Sequence, residues 1–267
     1  MSALRGRWLT QTWGRQRVWE AGDGPAVLAI HGLGGSGRYF ERLAEHAPGR
    51  FHLVAPDLAG FGSSDKPEIA YDRAGHLEDL DAVVRDVGEP IVVVGHSLGG
   101  VFAALWAARD PSRAAAYAIL CAPYPSPDRN QVWAQEPEIP RAARIAAPVL
   151  QTVVRALSIP IGVARSFSVA ISADYARQTL RSRSGTMWSA LHDPSVLDDL
   201  ERVRELDGRV PMLIEHAEDD RTVRPDAHAK WVKLLPSSDH RVVGGGHQVQ
   251  LHERFASLAS WIGRVTG

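Results

Sequence analysis

The sequence predicts an α/β architecture: a mostly parallel, eight-stranded sheet with helices on both faces. Three observations predict it. Short continuous apolar runs such as 26–30 and 91–94 recur along the 267 residues. Helix-like patterns fall between them, so the strands are joined by crossovers and not by tight hairpins. One long stretch, 124–204, holds helical pieces but no good strand.

The elements follow in order. The first two strands, 7–12 and 16–20, lie close together and mix polar with apolar residues, as an antiparallel edge hairpin does. Strands follow at 26–30, 52–55, 91–94, 116–120, 210–215 and 240–243, with helices at 38–47, 77–87, 101–109, 225–234 and 254–265. Inside 124–204, Val149, Val153 and Leu157 share a helical face, Pro160 and Gly162 interrupt, and a helix resumes over 164–180. That stretch is too long for a loop in a compact domain. It reads as a helical insertion between two strands, which leaves 1–123 and 205–267 as the core.

Composition narrows the function. A chain of this length buries roughly 75% of its unfolded surface, enough for a self-sufficient core. Thirty basic residues stand against 31 acidic ones, net −1, with no run of like charge. That balance argues against nucleic acid as a partner and for a small-molecule substrate. No apolar run is long enough to span a membrane. Residues 1–17 alternate charged and aromatic side chains and lack the apolar core of a signal peptide, so a soluble cytoplasmic protein is expected. The single cysteine, Cys121, excludes an internal disulfide and a cysteine-cluster metal site, and reads as a small buried hydrophobe.

The chemistry centres on Gly95-His96-Ser97-Leu98-Gly99-Gly100, directly after the apolar run 91–94. It matches G-x-S-x-G, in which a strand feeds a tight turn and a helix follows. The turn strains Ser97, and Gly95 and Gly99 supply the lack of bulk that such a turn demands. A serine hydroxyl is a poor nucleophile unless a base takes its proton, and the base needs an acid to orient it. His247 follows Gly244-Gly245-Gly246 after the last strand, where glycines leave the backbone free to swing the imidazole into place. The acid comes from Glu218-Asp219-Asp220, after strand 210–215, and Asp220 is the choice over its neighbours.

The order Ser97, Asp220, His247 is the one found in α/β-hydrolases. The chain resembles that superfamily, in the branch with a helical cap inserted after the sixth core strand, from about Gln16 to Val265. Four segments carry the likeness: His31-Gly32-Leu33-Gly34-Gly35, Asp57-Leu58-Ala59-Gly60-Phe61-Gly62-Ser63-Ser64, the serine elbow, and Asp220-Arg221 with Gly246-His247. The resemblance implies an oxyanion hole from the backbone N–H groups of Leu33 and Leu98. It also implies structural hydrogen-bonding roles for His31 and Asp57. The reaction expected is cleavage of an ester, thioester or lactone of a hydrophobic small molecule through an acyl-enzyme. Trp133, Phe167, Met187 and Trp188 are the pocket candidates within 124–204.

Other readings fit some of the same residues. Some proteins of this fold bind a ligand with little turnover, and some cleave carbon–carbon bonds; Gln248 stands where the latter often carry tryptophan. Gly32-Leu33-Gly34-Gly35-Ser36-Gly37 is literally G-x-G-x-x-G, with Asp57 placed where a nicotinamide oxidoreductase has its ribose-binding acid. That reading leaves the serine elbow and Gly246-His247 unexplained. No His-Glu-x-x-His segment occurs, and neither metal nor cofactor is expected.

Overall fold

A computed structural model describes residues 4–88, 91–128, 132, 168–248 and 255–267. Eight strands form one sheet: β1 (Arg5–Gln11), β2 (Gly14–Ala21), β3 (Ala26–Ile30), β4 (His52–Pro56), β5 (Ile91–His96), β6 (Ala114–Leu120), β7 (Met212–Ala217) and β8 (Asp239–Val243). Their spatial order is β1-β2-β4-β3-β5-β6-β7-β8. The first two pair antiparallel, β2 pairs antiparallel with β4, and every remaining pairing is parallel. The expected edge hairpin and parallel sheet are therefore both present.

Helices among the described residues are α1 (Glu41–Ala44), α2 (Arg73–Val87), α3 (Leu98–Arg109), α4 (Val169–Arg177), α5 (Leu180–Met187), α6 (Val196–Arg204), α7 (Asp226–Leu234) and α8 (Phe255–Thr266). Strand alternation sorts them onto two faces. Leu28 and Ile30 of β3 join a core with Leu80 of α2, Phe102 of α3, Leu200 of α6 and Trp231 of α7. Val27 and Ala29 face the other way, into a core with Leu43 of α1 and Leu258 and Trp261 of α8. Both faces are dry, which is why the central strands read as unbroken apolar runs.

Three helices depart most from the sequence reading. The expected helix over 38–47 is a 3₁₀ turn (Gly37–Phe40) followed by the one-turn α1. Pro48 disfavours helical backbone at Ala47, and the chain closes with short bonds such as His46 N–H to the Leu43 carbonyl, 3.0 Å. Helix α2 begins four residues before the expected start at 77, because the Asp72 carboxylate caps it by accepting from the Gly75 N–H at 2.8 Å. The helix expected over 164–180 breaks at Gln178. Thr179 starts α5 there through a reciprocal cap with Ser182.

Helices α4 and α5 lie against loops that leave the carboxyl ends of β3 and β4. A Cβ added at Gly34 would come 2.6 Å from the Tyr175 ring, and one at Gly60 would come 2.4 Å from Ser182 Cβ. The buried Asp174 of α4 faces Arg38 at 3.5 Å and Arg177 at 2.8 Å. Helix α6 instead packs beside α3, with Leu200 and Val203 buried in the main core. A five-residue π-turn (Trp188–His192) connects α5 toward it. No helix among the described residues is long and apolar enough to cross a membrane.

Candidate active site

The strand order reverses between β3 and β5: from β3 the sheet grows toward β4, and from β5 toward β6. Loops leaving the carboxyl ends of these two strands must part, and the crevice between them is where open α/β sheets place their ligands. Ser97 stands at that end of β5. Its backbone has φ 55° and ψ −126°, a region that side chains rarely enter, and its N–H donates to the Leu120 carbonyl at 2.8 Å. Strain of this kind persists only where surroundings over-determine it. A Cβ on Gly95 would lie 2.0 Å from the Gly99 oxygen, and one on Gly99 would lie 2.0 Å from the Ile30 oxygen. Only glycine lets strand, turn and helix pass so closely.

His247 and Asp220 meet Ser97 across long stretches of chain. His247 Nε2 is 3.0 Å from Ser97 Oγ, and its Nδ1 is 2.7 Å from Asp220 Oδ2. Asp220 is buried, its side chain 1% exposed, whereas Glu218 and Asp219 are exposed. Its other oxygen accepts from the N–H groups of Thr222 (2.8 Å) and Val223 (2.9 Å). Burial pushes the Asp220 carboxyl up, but the hydrogen bond and charge of His247, with these two N–H donors, outweigh it and hold the group below the usual carboxylate range. An ionised Asp220 only accepts, so Nδ1 of His247 carries the proton. That leaves the Nε2 lone pair for the Ser97 hydroxyl.

Loop-to-loop bonds hold the acid and the imidazole in register. The Glu218 N–H donates to the Val243 carbonyl (2.8 Å), and the Asp219 N–H to the Gly245 carbonyl (3.0 Å). His96, the unassigned residue of the elbow motif, adds a further tie. Its Nε2 donates to the His247 carbonyl at 2.8 Å, with the two rings 5.0 Å apart. Sequence reasoning passed over His96 because its partner is a backbone atom 151 residues away. Its position just before Ser97 was the only signal.

The His31–Gly35 segment runs beside Ser97. A Cβ added at Gly32 would approach Ser97 Cβ to 2.9 Å. Among the described residues, none accepts a hydrogen bond from the N–H of Leu33 or of Leu98. Leu33 is half-buried and Leu98 buried. His31 accepts from the Leu58 N–H through Nε2 at 3.0 Å, so its Nδ1–H donates to the Gly32 carbonyl at 2.8 Å. Burial pulls this ring down to about 4, against a smaller raising effect of that carbonyl, so it stays neutral. It braces the loop. Asp57 accepts from Trp19 Nε1 (2.9 Å) and from the N–H groups of Gly37 (2.7 Å) and Ser63 (2.7 Å). With both oxygens engaged, it is not available to a ribose, and the glycines around it serve close backbone packing.

Two of the four pocket candidates, Trp133 and Phe167, lie outside the described residues. Met187 is half-buried against the main core. Trp188 is 46% exposed, its ring 6.0 Å from His192.

A profile described as the alpha/beta hydrolase fold matches residues 25–253. The chain belongs to the α/β-hydrolase family. A pimeloyl-[acyl-carrier protein] methyl ester esterase from Chromobacterium violaceum is 32% identical to this α/β-hydrolase over 195 residues, 70% of each chain. An uncharacterized protein of Mycobacterium tuberculosis is 42% identical over 94 residues, 34% of this chain and 27% of its own length. The chain thus spans about a quarter of that relative. In structure, the thioesterase domain from the curacin biosynthetic pathway superposes with a TM-score of 0.73 over 97% of this α/β-hydrolase and 99% of that domain, at 20% identity. That last likeness speaks to the fold alone.

Proposed function

We propose that this α/β-hydrolase cleaves a carboxylic ester, thioester or lactone with Ser97 as nucleophile, His247 as base and Asp220 as orienting acid. The observation that carries the proposal is the continuous relay from Asp220 Oδ2 through His247 to Ser97 Oγ, with contacts of 2.7 and 3.0 Å. His247 Nε2 takes the hydroxyl proton as Ser97 attacks the acyl carbon, and Asp220 stabilises the imidazolium that forms. His247 then returns the proton to the leaving alcohol or thiol. Water enters, His247 deprotonates it, and its attack releases the acid and Ser97.

The N–H groups of Leu33 and Leu98 are the proposed oxyanion donors. Both lack an acceptor among the described residues, and both belong to segments in contact with Ser97. One such donor is worth about 2.7–4 kcal/mol of transition-state stabilisation. We further propose that 124–204 contributes a cap: α4 and α5 already touch the Gly34 and Gly60 loops. Met187 and Trp188 are its candidate contacts with an apolar acyl chain, and the relative named as a methyl ester esterase agrees with an ester substrate.

The test is turnover of short- and medium-chain nitrophenyl esters by wild type beside Ser97→Ala. Wild type should hydrolyse them, and the variant should lose essentially all turnover while keeping its melting temperature. Equal rates in the two proteins would remove Ser97 from the reaction.

A further inference from the structure

Cys121 follows β6 and takes no part in the chemistry above. It is fully buried, with φ at 46°, a left-handed conformation that glycine favours. Tertiary structure sets its side chain beside the acid and the base. The Cys121 sulfur, a carboxylate oxygen of Asp220 and a ring nitrogen of His247 all lie within 4.8 Å of one another.

A fourth group points to the same place. His216 of β7 is 5% exposed, and its Nε2 is buried without a hydrogen-bond partner among the described residues. That nitrogen lies 3.9 Å from Asp220 Oδ2, the oxygen that also bonds His247. A buried imidazole nitrogen without a partner is costly, and a positive charge between it and the carboxylate would satisfy both. One sulfur, one carboxylate and two imidazoles are a donor set for four-coordinate zinc or cadmium. With bonds of about 2.0–2.3 Å, neighbouring ligand atoms in such a site lie roughly 3.3–3.8 Å apart. The 2.7 Å contact between His247 Nδ1 and Asp220 Oδ2 has to open to about 3.3 Å, the wider separations have to close, and His216, which stands outside the 4.8 Å cluster but 3.9 Å from Asp220, has to swing in.

We propose that Cys121, Asp220, His247 and His216 form an inhibitory site for a thiophilic divalent cation such as Zn²⁺ or Cd²⁺. Binding replaces the Cys121 S–H proton with the metal and releases that proton to water, with no change of oxidation state. His247 ligates through Nδ1, and the proton it held there moves to Nε2. The ring then presents an N–H to Ser97 in place of a lone pair and cannot take the hydroxyl proton. The inhibition rests on the hydrolase reading above; the binding itself does not.

The direct test is titration of metal-free Ser97→Ala protein with Cd²⁺, following ultraviolet thiolate-to-cadmium charge transfer. Cys121 is the only cysteine in the chain, so that absorption reports on it alone. One cadmium per chain is expected, with a higher melting temperature. Adding His216→Leu or, separately, His216→Gln should weaken binding about tenfold or more. A lone buried thiol would bind equally well with and without His216, and that result, or no absorption change in folded protein, overturns the site. In wild type, Zn²⁺ should stop ester turnover reversibly, with chelator restoring it, and Cys121→Ser should need at least about tenfold more metal. Absence of ester turnover in metal-free wild type would count against the hydrolase reading alone, since the cadmium titration needs no activity.

Discussion

Three adjacent acids, Glu218, Asp219 and Asp220, differ in one respect that decides their chemistry: only the last is buried. A carboxylate in water is screened and free to rotate, whereas Asp220 is held by two backbone N–H groups and aimed at His247. Asp220→Asn should therefore lower kcat/KM on the order of 10⁴-fold, through loss of the correct tautomer, as for the equivalent change in serine proteases. Asp219→Asn should change it by less than about threefold, because an exposed charge is screened. Ester kinetics on the pair check this, and the reverse ranking would move the acid by one residue. His76 offers a second residue-scale outcome. Its ring is buried against Phe61 and Phe102, its Nε2 meets Thr186 Oγ1 at 2.8 Å, and burial pulls it down to about 4 from 6.5. Between those values the unfolded chain binds a proton that the native state refuses. The stability this contributes is complete above pH 6.5 and is lost as the pH falls toward 4, by up to about 3 kcal/mol. Asp57, pushed up to about 7 by burial despite its N–H donors, acts in the opposite direction. The comparison of wild type with His76→Gln therefore carries the information. Denaturant unfolding at pH 7 and pH 4.5 should show wild type losing more stability on acidification than the variant does.

At the scale of elements, the elbow is the least tolerant part of the fold. Gly99 opens α3 beneath β3, where an added Cβ would lie 2.0 Å from the Ile30 oxygen, so its missing side chain is what lets the helix start there. Gly99→Ala must push a strand from a helix in a close-packed interior, a change expected to cost roughly 3 kcal/mol or more. Thermal melting should show it, with a Tm well below wild type or no folded protein at all. Gly49→Ala is the contrast: nothing lies within 4 Å of its added Cβ. Its only penalty is the positive φ of 67°, so it should melt closer to wild type. The sequence announced Gly95 and Gly99 through their spacing around Ser97. It did not announce that 38–47 would collapse to one short turn, or that 164–180 would break at Thr179. Those ends depend on local bonds, from Asp72, Thr179 and the backbone around Pro48, whose strength is small beside the apolar periodicity that revealed the helices themselves.

For the whole molecule, the parallel centre is legible in the sequence because strands dry on both faces are continuous apolar runs, and the antiparallel edge because its two strands lie close together and mix polar with apolar residues. Ser97, Asp220 and His247 each sit in a short motif at the end of a strand, which is why the sequence offers them as candidates. What tertiary structure alone decided is the set of partners those residues meet. His247 comes within 3.0 Å of a serine 150 positions away, and His96 pins its carbonyl across a similar span. Cys121 and His216 come beside Asp220 from two neighbouring strands. Sequence encodes periodicity and turn chemistry, which act over a few residues. Contacts between strand ends arise only when the sheet order is laid down and the loops at the β3–β5 reversal are forced to part.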